Sequence, residues 1–75
     1  MTEANQAGAA PLRFESERVL ALIRSRPVTS VPDLMFEFRR RFGYSKTHTQ
    51  MTAHVQRLVS DGLAERAGRG MVKAL

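Results

Sequence analysis

Two histidines, a serine close to one of them and seven side-chain carboxylates are the groups in this 75-residue chain that could ligate a metal or attack a substrate. His48 and His54 are six residues apart in a segment with helical spacing, which sets them roughly 240° from each other around the axis, so one face cannot offer both to a metal ion. His48 falls near the apolar side of that helix and is expected to pack or cap at its start. Ser45 precedes His48, but no third group is placed to orient a histidine base, so the hydroxyl has no means of activation. The chain contains no cysteine, which removes disulfides, thiolate metal sites and thiol nucleophiles together. The expectation is a protein with no metal, no cofactor and no catalytic activity.

Hydrogen-bonding chemistry is instead concentrated in the stretch YSKTHTQMTAHVQRLVSDGL. With Met51, Val55, Leu58 and Val59 turned to a core, the opposite side of a helix carries Lys46, Thr49, Ala53, Gln56, Arg57 and Ser60, flanked by Gln50 and Thr52. No carboxylate falls on this face before Asp61, so nothing on it repels phosphate, and its side chains suit base-edge hydrogen bonding in a major groove. Ala53, at the centre, is small enough to let the helix axis approach the bases and could contact a thymine methyl. A plain solvated face, which most surface helices have, accounts for the same residues. The setting of the helix separates the two readings.

Lysine and arginine number 12 against 7 acidic residues, a net charge of +5, which favours a polyanionic partner. Ten of the twelve are arginine, which fits phosphate binding and equally fits a coding bias of the source genome. Arg39, Arg40 and Arg41 end the second helical segment, where positive charge complements the helix dipole and is also placed for phosphate contact. These two roles are compatible.

The elements that must position these groups follow from capping and periodicity. The first ten residues lack periodicity and are expected to form a mobile arm, 1–10, with one domain over 11–75. Helix one is expected from Pro11 to the SRP at 25–27, with Leu12, Ser16, Val19, Leu20 and Ile23 on one side and Pro27 as its stop. Ser30 and Asp33 form a variant capping box for helix two, which buries Leu34, Met35, Phe38 and Phe42 and ends at Gly43. Thr47 and Gln50 have capping-box spacing for helix three, and Gly62 is its C-terminal cap. Leu63, Glu65 and Ala67 then alternate with Ala64 and Arg66, the Gly68-Arg69-Gly70 turn reverses the chain, and MVKAL alternates again, giving a β-hairpin with Arg69 at its tip. The fold class is mainly α with a small β-hairpin.

So small a domain buries only about 60% of its unfolded surface, so its stability as a monomer should be marginal. The opening MTEANQAGAA has neither a basic start nor an apolar run, and no apolar stretch approaches the roughly 18 residues that span a bilayer. A soluble, unexported, cytoplasmic protein without membrane partners is expected, nucleoid-associated when bound.

Taken together, Val19 to Leu75 resembles the winged helix-turn-helix family of bacterial and phage DNA-binding proteins: three helices followed by a two-stranded wing. The most specific part is HVQRLVSDGLAERAGRGMVKAL, which looks like a leucine on the recognition helix, a Gly-Leu exit, a charged strand and a basic wing. The resemblance implies that helix 47–61 enters the major groove, that Lys46, Thr47, Thr49, Gln50, Ala53, Gln56 and Arg57 contact DNA there, and that Arg69 contacts it from the wing. Arg39, Arg40, Ser45 and Lys73 are further candidates for phosphate. The wing is short, which favours a backbone contact over deep insertion into the minor groove.

Apolar residues exceed what one small core uses. Phe36 lies roughly 150° from the centre of the helix-two stripe, and Phe14 and Leu22 are off the Val19, Leu20, Ile23 face. A fold-back of the N-terminal segment, a homodimer contact or a foreign protein partner would each cover them. The function expected is sequence-specific binding of double-stranded DNA by a small transcriptional regulator of phage, plasmid or bacterial origin. The alternative is a winged helix used as a protein-interaction module, such as a phage factor docking on a host enzyme.

Overall fold

The computed structural model describes residues 15–75. The expected arm at 1–10, the helix start at Pro11 and Leu12, and Phe14 lie outside the described residues. Within them, helix α1 covers 15–24 and closes with the Ser25 and Arg26 N–H groups donating to Leu22 and Ile23 carbonyls, just ahead of Pro27.

Helix α2, Val31–Phe42, starts where expected: Ser30 is extended and its Oγ accepts from the Asp33 N–H at 3.2 Å. It ends at Gly43, whose φ of 82° is the left-handed conformation that lets its N–H donate to the Arg39 carbonyl. Helix α3, His48–Ser60, carries the full capping box at Thr47 and Gln50. Beyond Asp61, Gly62 at φ 77° donates to the Val59 carbonyl and Leu63 donates to the Leu58 carbonyl. Those two bonds make the Schellman closure that turns the chain out of the helix and into the sheet.

The sheet departs from expectation. It has three antiparallel strands rather than two, β1 (Thr29–Ser30), β2 (Ala64–Gly68) and β3 (Met71–Ala74), in the order β1-β3-β2. Thr29 pairs with Val72 and Ser30 with Met71, so the residue that caps α2 also helps to hold one edge of the sheet. On the other side Ala64 pairs with Ala74, Glu65 with Lys73 and Arg66 with Val72, and Gly68 pairs with Met71 after a register shift at Ala67. Gly68 therefore belongs to β2, and only Arg69 and Gly70 form the turn. Its φ of 135° and the 70° of Gly70 are conformations a side chain rarely allows.

One core joins the three helices to β2 and β3: Val19, Leu20, Leu22 and Ile23 from α1, Leu34 and Phe38 from α2, Met51, Val55 and Leu58 from α3, Ala64 from β2 and Val72 from β3. Leu22, expected at the surface, is 2% exposed. The buried positions of α1, Ser16 included, span an arc of roughly 160°, wider than the stripe drawn through Val19, Leu20 and Ile23, and Leu22 sits at its edge.

Candidate nucleic-acid interface

The capping box fixes the N-terminus of α3 before any ligand is considered. The Gln50 N–H donates to Thr47 Oγ1 at 3.1 Å, and Gln50 Oε1 accepts from the Thr47 N–H at 3.0 Å. Gln50 therefore keeps its amide donors and one lone pair of Oε1 for an external partner, and Thr47 keeps its hydroxyl proton and one lone pair of Oγ1. Thr47, Thr49, Gln50, Ala53, Gln56, Arg57 and Ser60 are all exposed. Arg57 Nε stands 3.9 Å from Asp61 Oδ2, a solvent-exposed pair one helical turn apart that leaves the guanidinium available.

Lys46 does not join this face. Its side chain is 10% exposed, its Nζ bonds Glu15 Oε1, and the ammonium lies 5.8 Å from the Phe38 ring centroid and 5.6 Å from that of Tyr44. Glu15 comes from α1, so the acid-free face read along the helix gains a carboxylate from a neighbouring element. The Tyr44 hydroxyl donates to Glu15 Oε2 at 2.9 Å and accepts from Arg18 at 3.3 Å, while the Arg18 guanidinium lies 4.7 Å over the Phe42 ring. Phe38 meets the Tyr44 ring edge-on at 5.1 Å, which seats the tyrosine on the core. The Lys46 bond, opposed by partial burial and reinforced by Tyr44, holds the Glu15 carboxyl below the usual range. Glu15, Lys46, Gln50, Ala53, His54 and Arg57 line a cleft of about 220 Å³ on this side.

His54, rather than His48, is the histidine that the fold uses. His48 is exposed, with Nδ1 3.5 Å from Thr52 Oγ1, against the expectation that it sits near the apolar side. His54 is 4% exposed and its Nδ1 lies 2.9 Å from Oγ of Ser16, also 4% exposed. An imidazole accepting from Ser16 at Nδ1 carries its proton on Nε2, 3.9 Å from Glu15 Oε1; this tautomer is assigned from the bonding pattern. Serine, histidine and carboxylate are the groups of a nucleophilic triad, but here the hydroxyl is enclosed in the core and cannot reach a substrate carbonyl. Ser16 and His54 form a buried polar link between α1 and α3, with the partly buried Glu15 at its edge. Desolvation, assisted by Lys46 and opposed by Glu15, pushes the His54 pKa down. His54 stands three residues after Met51 and four before Leu58, so a polar residue at a stripe position was the signal that could have revealed it.

Among the other candidates, Arg39, Arg69 and Ser45 are exposed. Arg40 is bonded to Glu37 at 2.7 Å, and Glu37 also takes Arg26 at 3.2 Å, which ties the α1–β1 turn to α2. Lys73 pairs with Glu65 directly opposite it on β2, at 3.0 Å. Both cations have a partner within the fold, whereas Arg39, Arg66 and Arg69 have no ion pair among the described residues and Arg41 only acts on Glu37 at longer range. Of the three apolar residues set aside as a contact surface, Phe36 is 67% exposed and Leu22 is in the core. Among the described residues no helix is long and apolar enough to cross a membrane, and no three potential metal ligands cluster.

No protein-family model, curated protein or solved structure matches this chain.

Proposed function

We propose that the chain is a winged-helix protein that binds duplex DNA sequence-specifically, with α3 in the major groove and Arg69 of the β2–β3 turn against the backbone, as a small transcriptional regulator would. The observation that carries this reading is the outer face of α3, where Thr49, Ala53, Gln56 and Arg57 stand exposed and the helix carries no carboxylate of its own before Asp61. The carboxylate that α1 brings to this side, Glu15, is already matched by Lys46. Arg39, Arg41, Arg66 and Arg69 supply exposed positive charge for phosphates, and base discrimination rests on the α3 side chains. The reading involves no cofactor and no catalytic step.

The test is a fluorescence-anisotropy titration with a duplex of mixed sequence at about 50 and 200 mM salt. Counterion release makes log affinity fall with log salt by about 0.9 for every phosphate contacted. A steep fall supports the reading, and binding indifferent to salt overturns it.

Phe36 favours a second reading, a protein-docking module or a self-associating one, because a phenylalanine that exposed beside Arg40 has no role in the core. Such a surface would bind its partner with little dependence on salt.

A further inference from the structure

Lys46 is a cation at the reading face that the fold has turned inward, and the manner of its retention is informative. Three groups converge on one carboxylate: Lys46 Nζ and the Tyr44 hydroxyl bond the two Glu15 oxygens, and His54 Nε2 lies 3.9 Å from Oε1. Tyr44 and Lys46 come from the α2–α3 connection and His54 from α3, and Tyr44 is itself braced by Arg18 and by the Phe38 ring. The corner opens into the cleft shared with Gln50, Ala53 and Arg57 of the exposed α3 face. With His54 neutral, the cleft holds two cations, Lys46 and Arg57, against the one carboxylate of Glu15. A phosphate presents the same kind of acceptor-only, negatively charged oxygens to such donors as a carboxylate does.

We infer that the corner formed by Lys46, Tyr44 and His54 is an anion-binding site whose internal occupant is Glu15, and that a backbone phosphate of duplex DNA replaces the carboxylate when α3 enters the groove. The inference rests on the DNA-binding reading above and adds a site to it. Glu15 keeps the corner neutral and Lys46 ordered in the free protein, and it competes with DNA for the same donors.

Salt titrations against a mixed-sequence duplex test the exchange with Lys46→Met, Glu15→Gln and the double variant, each checked for its fold by thermal melting in circular dichroism. If Lys46 takes a phosphate, Lys46→Met lowers the slope of log affinity against log salt by about 0.9, and Glu15→Gln tightens binding because the competitor has lost its charge. The double variant removes both charges from the corner and carries the test where Lys46→Met alone unfolds; its slope is lower by the same amount. If the wild type binds steeply and Lys46→Met or the folded double variant keeps the full slope, Lys46 stays with Glu15 and the site is overturned. If the wild type itself shows no salt-dependent binding, the DNA-binding reading fails first.

Discussion

Ser16 Oγ and His54 Nδ1 meet at 2.9 Å inside the core, joining α1 to α3 through the only polar pair enclosed to that degree among the described side chains. Removing the hydroxyl leaves an imidazole nitrogen buried without its partner. Ser16→Ala should therefore destabilise the protein by about 1–3 kcal/mol, more than the deletion of one exposed hydroxyl. The urea midpoint measures this; an unchanged midpoint would mean that His54 finds another partner.

The same histidine makes stability depend on pH. Its pKa in the folded protein is lowered from 6.5, first by desolvation, then by Lys46, with Arg57 adding to this and Glu15 opposing it. The unfolded chain therefore takes up a proton that the folded one resists, so the contribution is complete above about 6.5 and is lost progressively as pH falls below that value. Glu15 acts lower: its pKa is also depressed, chiefly by the Lys46 bond, so its contribution is lost only as pH falls from the ordinary carboxylate value toward its own. Urea midpoints should decline between about pH 7 and 5, and His54→Gln should flatten that decline. A wild-type profile already flat across the interval would contradict the assignment.

Local signals in the sequence located the helices and left their partnerships open. Ser30, Gly43, the Thr47–Gln50 box and Gly62 act on backbone groups a few residues away, so spacing alone placed the ends of α2 and α3. Strand β1 is two residues long, too short for an alternation to register, and exists only because β3 pairs with it from far along the chain. The Lys46–Glu15 bond is non-local in the same way, which is why spacing along the helix showed Lys46 without the α1 carboxylate that holds it. The histidine assignment failed on geometry: the buried arc of α3 is centred nearer His54 than Val59, and a stripe drawn from apolar residues alone could not include it. Leu22 was misplaced for a related reason, since α1 is buried over a wider arc than its first apolar stripe suggests.

On the α3 face, reading and capping are separable. Gln56→Ala or Arg57→Ala should each relax sequence preference, with a loss of about 1–3 kcal/mol on the best site if the residue meets a base. Thr47→Ala should lower stability by about 0.5–2 kcal/mol, because α3 loses its N-terminal cap. Gln50→Ala combines the two effects and cannot be interpreted without a melting curve. Arg69→Ala should weaken all duplexes alike; a change in preference there, with none on α3, would move the reading element to the hairpin.

Self-association has a sharper test than the sequence offered. Phe36→Glu should leave the fold intact, and if Phe36 mediates pairing of two copies it should convert a dimer to a monomer in sedimentation at tens of micromolar. Leu22→Glu should unfold the protein, since it would place a charge in the core. A wild type that sediments as a monomer with and without duplex removes the dimer and leaves Phe36 to another partner.

Both β1 and β2 hydrogen-bond to β3 and not to each other, yet β3 is the last of the three to be synthesised. Without β3 the helices can form and begin to pack but the sheet has no centre, and the core lacks Val72, the residue that brings β3 into it. Assembly of the sheet must therefore wait for that strand and then close both ladders at once. A free chain truncated before Met71 should hold helices without a sheet, with the partners of Val72 in the core left open to solvent.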